Sequence, residues 1–217
     1  MRPGVIFDLD GTLIDSNYLH TLAWSRALED CGEWAPSNAI HRLVGMGGDQ
    51  LLPELLGRDL PAASDRRATR YKELIEEVRP FPGAEVLLRL LRSEGLAVVL
   101  ATSSPDEELE RLLPLVGGRD RFDAVTSAGD VAASKPAPDV FEAAVRSASL
   151  DASRAVVVGD SVWDIHAARA AGLACIGVET GGFSRHELAE SGALAVYRDV
   201  AELSAQWRTS PIGGLRP

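Results

Sequence analysis

The sequence predicts an α/β fold: a parallel-sheet core with a small all-helical segment inserted after the first strand. Three observations predict it. Short β-rich runs recur along the chain, helix-patterned segments separate them, and about 65 residues without a convincing strand break that alternation early. The strands are expected at residues 4–7, 96–101, 122–127, 155–159 and 174–178, with a weaker one at 193–197. "AVVLATSS" and "AVVVGDS" are continuous rather than alternating apolar runs, the pattern of strands covered on both faces and so of a parallel sheet with right-handed crossovers.

The helices of the core have readable boundaries. Residues 85–93 follow the Pro82–Gly83 turn and stop before Gly95, and residues 106–113 follow Pro105. Residues 138–148 open with proline in the first turn, and residues 164–171 end at Gly172. The early insertion reads as four helices, at 18–31, 37–44, 50–56 and 64–78. A crossover needs only about a dozen residues, so a segment of this size is a small domain in its own right. The predicted division is residues 1–15 and 80–217 for the core and 16–79 for a helical cap, with residues 13–17 and 79–83 as adjacent hinges. The C-terminal "TSPIGGLRP" is expected to fray.

Composition narrows the function. Among 217 residues, 22 Lys and Arg face 32 Asp and Glu, a net charge of −10, which argues against an electrostatic grip on nucleic acid or an anionic membrane. No stretch approaches the roughly 18 apolar residues of a membrane span, and the first apolar run is too short for a signal peptide. Cys31 and Cys175 lie far apart without a CxxC spacing, so they read as buried free thiols. A cytoplasmic enzyme or binding protein, monomer or dimer, is the expectation.

In an open α/β sheet, ligands bind beyond the carboxyl ends of the strands. Asp8 and Asp10 end the first strand, Thr102 and Ser103 end the second, Lys135 precedes a helix after the third, and Asp160 and Asp164 follow the fourth. Carboxylates gathered at one sheet edge repel one another unless a cation lies between them, and hard oxygen ligands suit Mg²⁺. An aspartate is also a nucleophile towards phosphorus, and Asp10, two residues on, points the same way as Asp8 and can move a proton. Thr102 and Lys135 then suit the non-bridging phosphoryl oxygens, and Gly11 lets the chain turn sharply where phosphate approaches.

"DLDGTLIDS", the run ending in "ATSS", "SKPAPDVF" and "VVVGDSVWDIHAA" together resemble the four ordered motifs of the haloacid-dehalogenase superfamily. The similarity is to its phosphoglycolate-phosphatase-like and β-phosphoglucomutase-like branch, and it covers nearly the whole chain. The resemblance implies a Rossmann-like core with a helical cap, and a Mg²⁺-dependent phosphatase acting on a small phosphorylated metabolite through an aspartyl phosphate. It makes Asp8 the nucleophile and Asp10 the acid that protonates the leaving oxygen, then the base that activates water. Mg²⁺ would be held by the Asp8 and Asp160 carboxylates and the Asp10 backbone carbonyl, with Asp164 behind them or bound through water. Thr102, Ser103, Lys135 and Gly11 would bind the phosphoryl group.

In the cap, His20 and Trp24 stand four apart on one helical face and are candidates to line the cleft near Asp10. Gly47 and Gly48 in "VGMGGDQLL" can expose N–H groups to a substrate ahead of a helix. Arg42, Arg66, Arg67, Arg70 and Lys72 read mainly as solvated helix faces. A phosphosugar mutase is the nearest alternative, weakened because Val44 and Gly48 stand where the mutases resemble one another in carrying basic residues. A non-catalytic phospho-ligand sensor is the alternative from another class. His41, His166 and His186 have no assigned partner, and "GGF" at 181–183 is either a loop near the site or a plain turn.

Overall fold

The computed structural model describes residues 1–215. Strand β1 (Arg2–Phe7) leads through the short β2 (Ile14–Asp15) into four helices, α1 (Asn17–Asp30), α2 (Ser37–Leu43), α3 (Gly48–Leu56) and α4 (Pro61–Lys72). The chain returns through β3 (Arg79–Pro80). It then alternates α5 (Ala84–Ser93), β4 (Ala97–Ala101), α6 (Asp106–Leu112), β5 (Ala124–Thr126), α7 (Asp139–Ser147) and β6 (Leu150–Gly159). The last elements are α8 (Val162–Ala170), β7 (Ala174–Val178), α9 (Arg185–Glu190), β8 (Ala195–Tyr197) and α10 (Val200–Gln206).

Six strands form a parallel sheet in the order β5-β4-β1-β6-β7-β8. β1 lies in the middle, and Val5, Ile6 and Phe7 are wholly buried, as an uninterrupted apolar strand between two neighbours must be. Side chains alternate across the sheet: Val5, Phe7, Leu100 and Val158 pack with α5 and α10, while Ile6, Val99 and Val157 pack with α7 and α8. The chain leaves β1 towards β4 but leaves β6 towards β7, so the loops after β1 and β6 diverge and open a crevice at their carboxyl ends.

The inserted helices hold a core of their own, with Trp24, Leu28, Ile40, Leu51 and Leu52 among its buried residues. β2 pairs antiparallel with β3, Ile14 opposite Pro80 and Asp15 opposite Arg79, which sets the two crossing segments side by side. The predicted fourth insertion helix differs at both ends. Pro61 starts α4 from its first turn, and the helix stops at Lys72, leaving only a 3-10 turn at Ile75–Glu77.

The C-terminal expectation needs a larger correction. Residues Pro211–Leu215 form a 3-10 turn whose Ile212 is wholly buried in the main core, so apolar burial overrides the flexibility of the flanking glycines. Residues 216 and 217 of the expected frayed tail lie outside the described residues. Cys175 is buried, Cys31 is only partly so, and both are free. No helix among the described residues is long and apolar enough to cross a membrane.

Candidate active site

Asp8 is the first residue past β1, and its N–H donates to the Val158 carbonyl at 2.9 Å, so the sheet ladder fixes its backbone. Asp160 occupies the same place after β6. Asp164 lies one turn into α8, where its carboxylate accepts from the Ser161 N–H at 3.1 Å and hydroxyl at 2.5 Å in a capping box. The helix start therefore aims Asp164 back at the strand ends. One oxygen from each of Asp8, Asp160 and Asp164 lies within 4.8 Å of the others, and all three residues are buried.

Lys135 reaches this cluster from the loop before α7. Its buried ammonium contacts Asp8 Oδ1 and lies 2.7 Å from Asp164 Oδ1. Asp160 is held separately, accepting from Thr12 Oγ1 and Asn17 Nδ2, each at 2.9 Å. Two glycines leave it room: a Cβ at Gly11, where φ is +77°, or at Gly181 would overlap its carboxylate. The GGF segment therefore borders the site. Thr180 ties it there by donating to the Gly11 carbonyl.

Burial dominates the electrostatics of the cluster. It pushes the Asp8 carboxyl up to about 7, a rise that Lys135 opposes and Asp164 and Asp10 reinforce. Asp160 rises well above the carboxylate range through burial and the neighbouring Asp164 and Asp8. Burial also works against the Lys135 ammonium, but Asp164 and Asp8 outweigh it and hold the group charged. Three carboxylates against one ammonium leave an uncompensated negative, all-oxygen donor set, which fits a hard divalent cation such as Mg²⁺.

The Asp10 carboxylate turns away from that cluster towards the cap. Oδ1 accepts from Ser16 Oγ at 2.6 Å and His20 Nε2 at 2.9 Å, and Oδ2 accepts from Ser104 Oγ at 2.6 Å. Burial alone would raise this carboxyl, but His20, Ser104 and Ser16 together hold it well below the usual range. Behind His20, Arg67 Nη2 lies 2.7 Å from Nδ1. A guanidinium only donates, so Nδ1 accepts and the ring proton sits on Nε2, directed at Asp10. Tyr71 stacks on the same ring at 4.0 Å, and Arg67 Nη1 donates to Glu108 at 2.5 Å.

Asp8, Asp10, His20 and Arg67 open on a cleft of two adjoining chambers. The inner one, about 50 Å³, is bounded by Asp8, Asp10, His20 and Thr102; the outer, about 250 Å³, by Gly47, Gly48, Asp49 and Ser64. Trp24, Met46, Arg67 and Ser103 border both. Thr102 is buried and its hydroxyl accepts from the Ser104 N–H at 3.0 Å, whereas the buried Ser103 hydroxyl has no hydrogen-bond partner.

Several of these residues were not singled out from the sequence: Thr12, Ser16, Asn17, Ser104, Tyr71 and Glu108. Arg67, expected on a solvated face, is instead largely buried in the cleft wall. The other histidines lie outside the cleft. His41 stacks on Tyr18 at 4.6 Å, His166 meets Trp163 edge-on at 6.1 Å, and His186 pairs with Glu190 at 3.3 Å.

Comparison with known proteins gives these contacts a context. Residues 3–172 match the family model described as haloacid dehalogenase-like hydrolase. The chain is 33% identical to a phosphoglycolate phosphatase of Rhodospirillum rubrum, over 99% of this chain and 94% of that one. It is 33% identical to the fructose-1-phosphate phosphatase YqaB of Escherichia coli, over 81% and 95% of the two chains. Among solved structures, a hydrolase from Pseudomonas syringae superposes with a TM-score of 0.90 at 32% identity, covering 96% of this chain and 99% of that one.

Proposed function

Since this chain belongs to the haloacid dehalogenase-like hydrolase family and is a phosphoric monoester hydrolase, we propose that it is a Mg²⁺-dependent phosphatase for a small phosphomonoester, working through an aspartyl phosphate on Asp8. The observation that carries this reading is the pairing of two differently poised aspartates two residues apart on the floor of one cleft. Asp8 stands in the inner chamber beside Lys135, and the Asp10 carboxylate turns towards the cap, the side on which a leaving group would lie.

Asp8, Asp160 and Asp164 are the side chains that would hold Mg²⁺; the family resemblance adds the Asp10 backbone carbonyl. When bound, the ion neutralises charge on the cluster and on the phosphoryl oxygens. Lys135 and Thr102 offer further positive charge and a hydroxyl to those oxygens, and the Ser103 hydroxyl supplies a free donor at the chamber wall.

In the first half-reaction an Asp8 oxygen bonds to phosphorus as the ester oxygen departs, taking its proton from Asp10. An incoming phosphate dianion raises the Asp10 carboxyl by like-charge repulsion, which favours the protonated form that step needs. In the second half-reaction Asp10, ionised again by its contacts with His20, Ser16 and Ser104, takes a proton from the water that attacks phosphorus. Residues 16–79 act as the cap over this chemistry, moving on the paired segments at β2 and β3.

The test is inorganic phosphate release from a panel of phosphorylated metabolites with Mg²⁺, beside EDTA and Asp8→Asn controls. Metal-dependent release lost in Asp8→Asn is the expected result. Turnover that survives both controls contradicts the reading.

A further inference from the structure

The outer chamber is where the leaving group of a phosphomonoester bound at Asp8 must lie. Its volume, about 250 Å³, far exceeds the roughly 10–15 Å³ that one water needs on the same measure, so it accommodates a leaving group of several heavy atoms. Among the described residues bordering either chamber, Arg67 is the only lysine or arginine. A lone arginine facing a substrate chamber ordinarily selects an anionic group, a carboxylate or a second phosphate.

Here the arginine is already engaged. Glu108 on α6, 3% exposed by its side chain, takes Arg67 Nη1 at 2.5 Å, and His20 takes Nη2 at 2.7 Å. Among the described residues Arg67 is also the only cation paired with Glu108, so the two charges cancel within the wall. The other charged group of the outer chamber is acidic. Burial would raise the Asp49 carboxyl, but hydrogen bonds from Ser134 keep it below the ordinary carboxylate value and therefore ionised. The remaining polar side chains of the outer chamber, Ser64, Ser103 and Ser134, are neutral, as is the backbone of Gly47 and Gly48 at the start of α3.

We infer that the Arg67–Glu108 pair determines specificity: it makes the outer chamber receive a neutral, hydroxylated leaving group and turn away a second anionic group. The inference rests on the phosphatase reading for the position of the phosphoryl group, and adds the class of leaving group. A substrate hydroxyl finds an acceptor at Asp49 and a hydroxyl partner at Ser64. A substrate carboxylate finds Asp49 ionised and Arg67 neutralised, and gains no compensating ion pair for its lost hydration.

A matched pair of compounds isolates this effect. Phosphoglycolate and 2-hydroxyethyl phosphate differ in carrying a carboxylate or a CH₂OH at the far end. Calorimetric binding of each is measured with Mg²⁺ in the full-length Asp8→Asn protein, and phosphate release from each in the wild type. The neutral compound is expected to bind at least about tenfold more tightly, the scale of one hydrogen bond to a charged group.

Adding Glu108→Gln frees the Arg67 charge and should erase or reverse that ratio by strengthening phosphoglycolate binding alone. Replacing both, Arg67→Gln with Glu108→Gln, should restore the neutral preference, which a general loosening of the wall would not do. Phosphoglycolate binding as tightly as its neutral partner, or a ratio that Glu108→Gln leaves unmoved, overturns the inference. Neutral preference in binding without release from any compound by the wild type overturns the phosphatase reading and upholds the specificity.

Discussion

At the sheet edge, Asp8, Thr102 and Asp160 follow directly on the last residues of β1, β4 and β6, and the parallel ladder sets their spacing. Across the cleft, His20, Trp24 and Arg67 reach in from helices α1 and α4, on an insertion with its own small core. The core side is built of short side chains around one long one, Lys135, which the Asp8 and Asp164 carboxylates hold. The cap side uses long ones that meet the core through the His20 contact to Asp10 and the Arg67 pair with Glu108. Reaction chemistry needs positions fixed to a fraction of an ångström, which strand ends provide. Choice of leaving group tolerates more movement, although Ala23, Tyr71, Leu74, Ile75 and Val78 join the insertion to the main core.

Substitutions on the two sides should therefore differ in kind. The largest effect is expected from Asp8→Asn, a loss of phosphate release of at least about a thousandfold with ligand binding retained, read by release kinetics beside calorimetry. Lys135→Met should come next. Stranding buried carboxylates costs about 3–5 kcal/mol, read from urea unfolding in EDTA, and Mg²⁺ should recover part of it.

On the cap side, Leu51→Ala opens a cavity in the insertion and should cost about 2–5 kcal/mol of its local stability. Native-state hydrogen exchange would show that loss in α1–α4, while Mg²⁺ affinity at the sheet edge stays unchanged. An equal loss in the core strands would show that the two regions unfold as one.

The aspartates also give opposite pH signatures. Asp8 holds its proton up to about 7 in the folded chain against an ordinary 3.8, so folding takes up a proton between those values. Its contribution in metal-free protein thus falls as pH rises across that window, and the thermal shift on adding Mg²⁺ should be larger near pH 7.5 than near pH 5. Asp10 is displaced downward, so its contribution is present above 3.8 and lost as pH falls through the folded value. The smallest expected effect is that of His20→Ala, which removes one donor worth about 1.5–3 kcal/mol and should move the acid unfolding midpoint upward.

The core was legible in the sequence because its signals are local. Apolar runs such as "AVVVGD" end in the residue that functions, so element and site residue are read together. The parallel sheet, the helical insertion and the family itself follow from those runs and their order. What was not legible depends on approach across the chain. Ser104 is an ordinary loop serine until the fold brings it to Asp10, 94 residues away in sequence, and Arg67 looks like any helix-surface arginine until Glu108 meets it. Ile212 sits in a Gly- and Pro-rich tail, and only the groove beneath it makes that tail ordered.

The central claim is that Asp8 takes the phosphoryl group. Acid quenching within the first turnover with Mg²⁺, followed by mass spectrometry of the N-terminal peptide, tests it most directly. The account predicts a peptide heavier by one phosphoryl group, with the label on Asp8 and lost in Asp8→Asn. Phosphate released at full rate with no phosphoryl group ever found on Asp8 would contradict it.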